Sequence, residues 1–282
     1  MPAWLAAAMQ HFRVVYWDQR GTGKSFDPRA AKSPLRLDDL VGDLRALCAR
    51  LAVDHVDIMG FSLGGSIAAI AAAQDPEQIR SVTVVGPDVD LGEAERSAYA
   101  FAFVEATRRG NRRALRALRA IGPPPHGVAK RFLERVKWVA NLGGIQRGAS
   151  FADLMRANVL RLLTSPHYSL REAVGAIRGM NSTQERLLAN LVGIDLLALA
   201  PRITVPVALF QGRHDAAAPP QLTHRYHDQL EAPRGKTLVW FEESPHMPHW
   251  EEPARFRQAL LEATGLSRDR SAAANSATLV EL

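Results

Sequence analysis

Cysteine is almost absent from this chain of 282 residues, which has one, Cys48. A single thiol excludes an internal disulfide framework and any metal site built from several cysteines. Long apolar runs are missing as well. No stretch of about 18 residues is free of charge or glycine, so nothing reads as a membrane span. The opening residues, MPAWLAAAMQHF, have neither the basic stretch nor the cleavage site of a secretory signal. A soluble, cytoplasmic protein without a membrane partner is the expectation. Cys48 lies in VGDLRALCARL, with Leu40, Leu44, Leu47 and Leu51 at helical spacing. That pattern buries a thiol in a core rather than presenting it as a nucleophile.

Hydrophobic residues make up 47% of the chain, enough for the core of one large α/β domain. The formal net charge of +6 raises the question of nucleic acid, and its distribution answers it. Residues 91–200 hold 17 basic and 8 acidic residues, the remainder 18 and 21. Basicity therefore belongs to one segment. There, as in RRGNRRALRALR, arginines alternate with alanine and leucine, which describes a solvated helix face over a buried stripe. No nucleic-acid partner is expected.

The β-rich run Phe12 to Trp17 leads into a long loop, DQRGTGKSFDPRAAKSP. Asp38 to Leu51 has helical period. Val56 to Met59 is a short strand that runs into GFSLGG and a small-residue helix, and Ser81 to Val85 is the next strand. Such alternation predicts a mostly parallel sheet covered on both faces. Leu91 to Ala200 then reads as helices, before strands at Val205 to Gln211 and Thr237 to Phe241 alternate again with helices at Pro220 to Leu230 and Pro253 to Thr264. The organisation expected is a core of residues 1–90 and 201–266, a helical cap insertion at 91–200, and a disordered tail at 267–282.

Gly60-Phe61-Ser62-Leu63-Gly64 has the G-x-S-x-G spacing of a nucleophile elbow, a strained turn from strand to helix with serine at its apex. Glycines two residues to either side remove Cβ atoms that would collide as the chain reverses. A serine needs a positioned base to take its proton. Among the histidines, His246 sits in the loop after the last strand, His249 belongs to the following helix start, and His214 directly follows a strand. Its neighbour Asp215 stands at a strand's carboxyl end, where open α/β sheets keep their functional groups. The order Ser62, Asp215, His246 is a workable triad, with Asp88 and Asp90 as competing acids. Gly21-Thr22-Gly23-Lys24-Ser25 resembles the end of a phosphate-binding loop, but Asp18 stands where the first glycine belongs.

Taken together, VVYWDQRGTGKS, GFSLGGSIAAIAA, QGRHDAAAP and ESPHMPHWEEPARF resemble successive landmarks of the α/β-hydrolase superfamily. The DQRG loop and the IGPPP of the insertion are similar to its proline-iminopeptidase-like branch. The resemblance implies Ser62 as nucleophile, Asp215 as acid, His246 as base and the Leu63 amide as one oxyanion donor, with no cofactor. Two departures stand out. Leu63 replaces the tryptophan that usually follows the nucleophile in prolyl aminopeptidases, and the HGGPG-like loop that carries the second oxyanion donor has no counterpart after Met1.

The expectation is thus an N-terminally truncated α/β-hydrolase fold that cleaves a small ester, an amide or a short peptide such as an N-terminal prolyl peptide. The rival is a non-catalytic binding protein of the same fold. A truncated sheet would lack the strand between Val14–Trp17 and Val56–Met59. Those two would then pair directly or leave a cleft.

Overall fold

The computed structural model describes residues 10–27, 29, 35–191, 193–266 and 278–281. The helix-like start MPAWLAAA falls outside them. Six strands form one sheet: β1 (Arg13–Tyr16), β2 (Val56–Phe61), β3 (Ile79–Val85), β4 (Val207–Gly212), β5 (Lys236–Phe241) and β6 (Thr278–Glu281). Their spatial order is β1-β6-β2-β3-β4-β5, and every neighbouring pair is parallel.

Parallel strands need both faces covered, and the pleat sends alternate residues to opposite sides. Ile58, Leu209 and Val280 join one core with α1 (Leu37–Arg50) and α2 (Leu63–Gln74). Met59, Phe210 and Leu279 join the other, against Phe256 and Leu260 of α11 (Pro253–Ala263). Between those helices in sequence run α9 (Pro220–Gln229) and α10 (Pro248–Glu251). Helix α2 is built of Ala, Gly and Ile and nearly all buried, so it lies close against the sheet. Cys48 is buried in the first core, and burial pushes its thiol up to about 11.

Between β3 and β4 the chain is helical: α3 (Leu91–Arg108), α4 (Arg112–Ile121), α5 (Ala129–Asn141), α6 (Phe151–Thr164), α7 (Leu170–Leu191) and α8 (Leu196–Leu199). Ala98, Ala102, Ala106, Leu118, Trp138 and Val139 give this segment a core of its own. Tyr168 and Thr183 help tie it to the DQRG loop. Tyr168 donates its hydroxyl to Asp18 Oδ1 at 2.5 Å, and Thr183 Oγ1 donates to the Gly21 carbonyl at 2.8 Å. No helix among the described residues is long and apolar enough to cross a membrane.

The end of the chain corrects the sequence reading. Thr278–Glu281, expected in a disordered tail, form β6, while residues 267–277 and 282 lie outside the described residues. Nor do β1 and β2 pair directly or leave a cleft. Val14 and Asp57 both align with Leu279, one on each side. The physical cause is that the facing edges of β1 and β2 would otherwise be left with unpaired N–H and C=O groups. A tetrapeptide with β-branched threonine and valine satisfies both edges and buries Leu279 and Val280 completely.

Candidate active site

Ser62 sits where β2 hands over to α2, at φ 52 and ψ −122. L-residues avoid that region, and holding one there costs about 1–3 kcal/mol. The turn is over-determined by its surroundings. The Ser62 N–H donates to Val85 O at 2.8 Å, and the Ser66 N–H donates to Ser62 O at 3.2 Å. A side chain at Gly60 would run into the Gly64 carbonyl. Leu63 opens α2, whose first-turn N–H groups have no acceptor within the helix and whose N-terminus carries positive potential.

Asp215 follows β4, and His246 follows β5. The Ala217 and Ala218 N–H groups each donate to Asp215 Oδ1 at 2.8 Å, which aims Oδ2 at His246 Nδ1, 2.7 Å away. A carboxylate only accepts, so Nδ1 carries the proton and Nε2 is the ring's acceptor. Burial alone would lower the imidazole's pKa. Asp215 first, and Asp88 after it, hold it above the ordinary histidine value. The His246 loop is anchored to the helical insertion by its own N–H, bonded to Ile145 O at 3.0 Å. Gly86, at φ +52, passes so close that a Cβ there would lie 3.1 Å from His246 Nδ1.

The expected bond between Ser62 and His246 is not formed. Ser62 Oγ instead donates to Asp88 Oδ2 at 3.4 Å. Asp88 follows β3, and burial pushes its carboxyl up to about 6, with His246 pulling the other way and Asp215 adding to the rise. Asp90, the other competing acid, caps α3 by accepting the Glu93 N–H at 2.8 Å. His249 is packed edge-on against Phe61 with its pKa lowered by burial to about 3, and His214 is exposed, with its backbone N–H on Ser244 O. Asp215 thus holds the imidazole, while Asp88 holds the serine.

Ser62, Leu63, Asp88 and His246 line one cavity of about 540 Å³. Its walls are largely apolar: Phe132 from α5, Leu154 and Met155 from α6, Leu187 and Leu191 from α7, and Trp250. The polar exceptions include Arg135 and Glu95, a buried pair bonded at 2.9 Å. No group of three or more metal-ligating side chains occurs among the described residues. At the segment that mimics a phosphate-binding loop, the Lys24 N–H already donates to the Asp18 carboxylate.

The family model of the alpha/beta hydrolase fold matches residues 2–115. A probable aminopeptidase of Bacillus subtilis is 27% identical over 257 residues, 89% of this chain and 79% of that protein. The rhodomycin D methylesterase of a Streptomyces species is 27% identical over 237 residues, 81% of this chain and 74% of that one. A proline iminopeptidase-related protein from Thermus thermophilus superimposes with a TM-score of 0.61 at 19% identity, covering 93% of this chain and 82% of its own. The chain has the α/β-hydrolase fold and is similar to members of that superfamily. Within it, the chain is similar to the proline-iminopeptidase-like members.

Two features of this α/β-hydrolase fold escape a sequence reading. Asp88 is visible there only as a competing acid, because nothing local says that it faces the serine rather than the histidine. Arg135 and Glu95 lie 40 positions apart in the helical insertion. Helical period shows which face of α3 or α5 is apolar, but not that a buried pair of opposite charges closes the gap between them.

Proposed function

We propose that this chain is a serine hydrolase that cleaves a small ester or amide by acyl transfer. Ser62 is the nucleophile, His246 the general base, Asp215 the acid that orients it and the Leu63 N–H one oxyanion donor. The observation that carries the reading is that His246, paired with Asp215, lines the same cavity as a serine held at positive φ. His246 Nε2 takes the Ser62 proton as Oγ attacks the substrate carbonyl, and the imidazolium formed is stabilised by Asp215. The developing oxyanion is met by the N-terminus of α2. Its collapse expels the alcohol or amine, which takes the proton from His246. Water deprotonated by the same base then releases the acyl group and restores Ser62. A cavity walled by Phe132, Leu154, Leu187 and Trp250 suits an apolar acyl or alkyl group of modest size. The aminopeptidase relative keeps an N-terminal prolyl peptide among the substrates to test.

One observation favours a second reading, a binding protein of the same fold, because the Ser62 hydroxyl is bonded to Asp88 and not to the base. A fluorophosphonate probe decides between them. Labelling of the intact chain at Ser62, abolished in Ser62→Ala along with p-nitrophenyl ester hydrolysis, supports the hydrolase. An unlabelled wild type, or a Ser62→Ala variant as active as its parent, overturns it.

A further inference from the structure

Asp88 is a cavity-lining carboxylate with little to hold. Its backbone carbonyl is fixed by the Ser66 hydroxyl at 3.0 Å, so the residue is set in place, yet among the described residues its side chain takes only the long 3.4 Å bond from Ser62. The charged groups that face it are His246, Asp215 and Arg135. Each of these already has an ion-pair partner. Arg135 Nη2 donates to Glu95 Oε1 at 2.9 Å, and His246 is paired with Asp215. Glu95 is further occupied by the His126 N–H at 3.0 Å. Arg135 is engaged by Glu95, and Asp88 is left without an ion pair of its own among the described residues, facing a largely apolar cavity.

A serine hydroxyl has one proton to donate. While it is on Asp88 it is not on His246, and a base cannot remove a proton it does not touch. We infer that Asp88 is a positioning and specificity residue: in the empty site it holds the Ser62 hydroxyl idle, and a substrate carrying an ammonium or another N–H donor occupies the carboxylate and hands the hydroxyl to His246. The chemistry follows from what a carboxylate can do, since it accepts hydrogen bonds and attracts cations, and donates nothing. A substrate that lacks such a donor leaves the serine where it is. This inference rests on the serine-hydrolase reading and adds to it which substrates are turned over well.

Two p-nitrophenyl esters that differ by one amino group test it, those of alanine and of propionic acid, with the intact chain and its Asp88→Asn variant. Asparagine keeps the volume and removes the charge. The wild type should prefer the alanine ester, and the variant should lose about tenfold or more in kcat/KM on it. On the propionyl ester, and in the rate of fluorophosphonate labelling, the variant should be faster than the wild type, because the hydroxyl is no longer held. A merely structural role lowers both esters by the same factor, and that result, or an unchanged preference, overturns the inference. The two claims stay distinguishable. Labelling of wild-type Ser62 with no switch in preference sinks the role of Asp88 alone, whereas a wild type that takes no label sinks both.

Discussion

His246 Nδ1 lies 2.7 Å from Asp215 Oδ2, two groups 31 positions apart in sequence that meet across the loops following β4 and β5. The contact sets the pH at which the proposed base works. His246 acts only when neutral, and Asp215 holds its pKa above the ordinary 6.5 against the pull of burial. Activity should therefore fall as pH drops through a midpoint above 6.5. In Asp215→Asn the raising charge is gone and burial remains, so the midpoint should move to lower pH. The rate should drop by about 10⁴-fold, as the loss of an orienting carboxylate does in related triads. A pH–rate profile of both proteins reads both effects, and an unmoved midpoint would count against Asp215.

Ser62→Gly should make the protein more stable and inert. Glycine adopts φ 52 without strain, so relieving the elbow should return about 1–2 kcal/mol, less glycine's larger loss of chain entropy. Thermal midpoints of the wild type, Ser62→Ala and Ser62→Gly give the ranking, with the glycine variant expected highest. If alanine and glycine are equal, the backbone strain is not a real reservoir.

Asp88 should also be visible in stability. Its carboxyl is raised from 3.8 to about 6 in the folded state. The folded protein therefore binds this proton more tightly than the unfolded chain does. The stabilisation is fully present below pH 3.8 and is lost as pH rises through about 6, amounting to about 3 kcal/mol at most. Asp88→Asn should raise the thermal midpoint at pH 7.5, and the difference from wild type should vanish near pH 4. A constant difference across that range would mean that Asp88 is not buried as a charge.

Leu279 is fully buried and packs with Phe12, Met59 and Val85. Leu279→Ala should cost about 2–5 kcal/mol, the range for a core leucine that leaves a cavity behind. Urea denaturation measures it directly. A change below about 0.5 kcal/mol, the range of surface substitutions, would show that β6 is not seated in the sheet.

The parts of this protein that a reader of the sequence can see are those whose physics is local. The elbow is legible because Gly60 and Gly64 answer a steric problem within five residues. The positions of Asp215 and His246 are legible because strand ends are. β6 is hidden, since Thr278–Glu281 follow a run rich in Ser, Ala and Asn, and only the open edges of β1 and β2 give four residues a reason to be a strand. The partner of Asp88 is hidden for a related cause. Two candidate acids after neighbouring strands can be ranked by motif, but which of them touches the imidazole is decided by loop geometry that no spacing encodes.

The sheet's order also dictates a timetable. Strand β6 lies between β1 and β2 although it follows the other described strands in sequence, so Val14 acquires its neighbour Leu279 only after β2 to β5 have been made. On the ribosome, β2 to β5 can assemble as a parallel unit while one edge of β2 stays bare and β1 has nowhere to attach. Such late, long-range closure is slow, and bare edges are where chains pair with the wrong partner. This protein should thus depend on chaperones or dilution during its synthesis more than its size suggests, and become self-sufficient once β6 slides home.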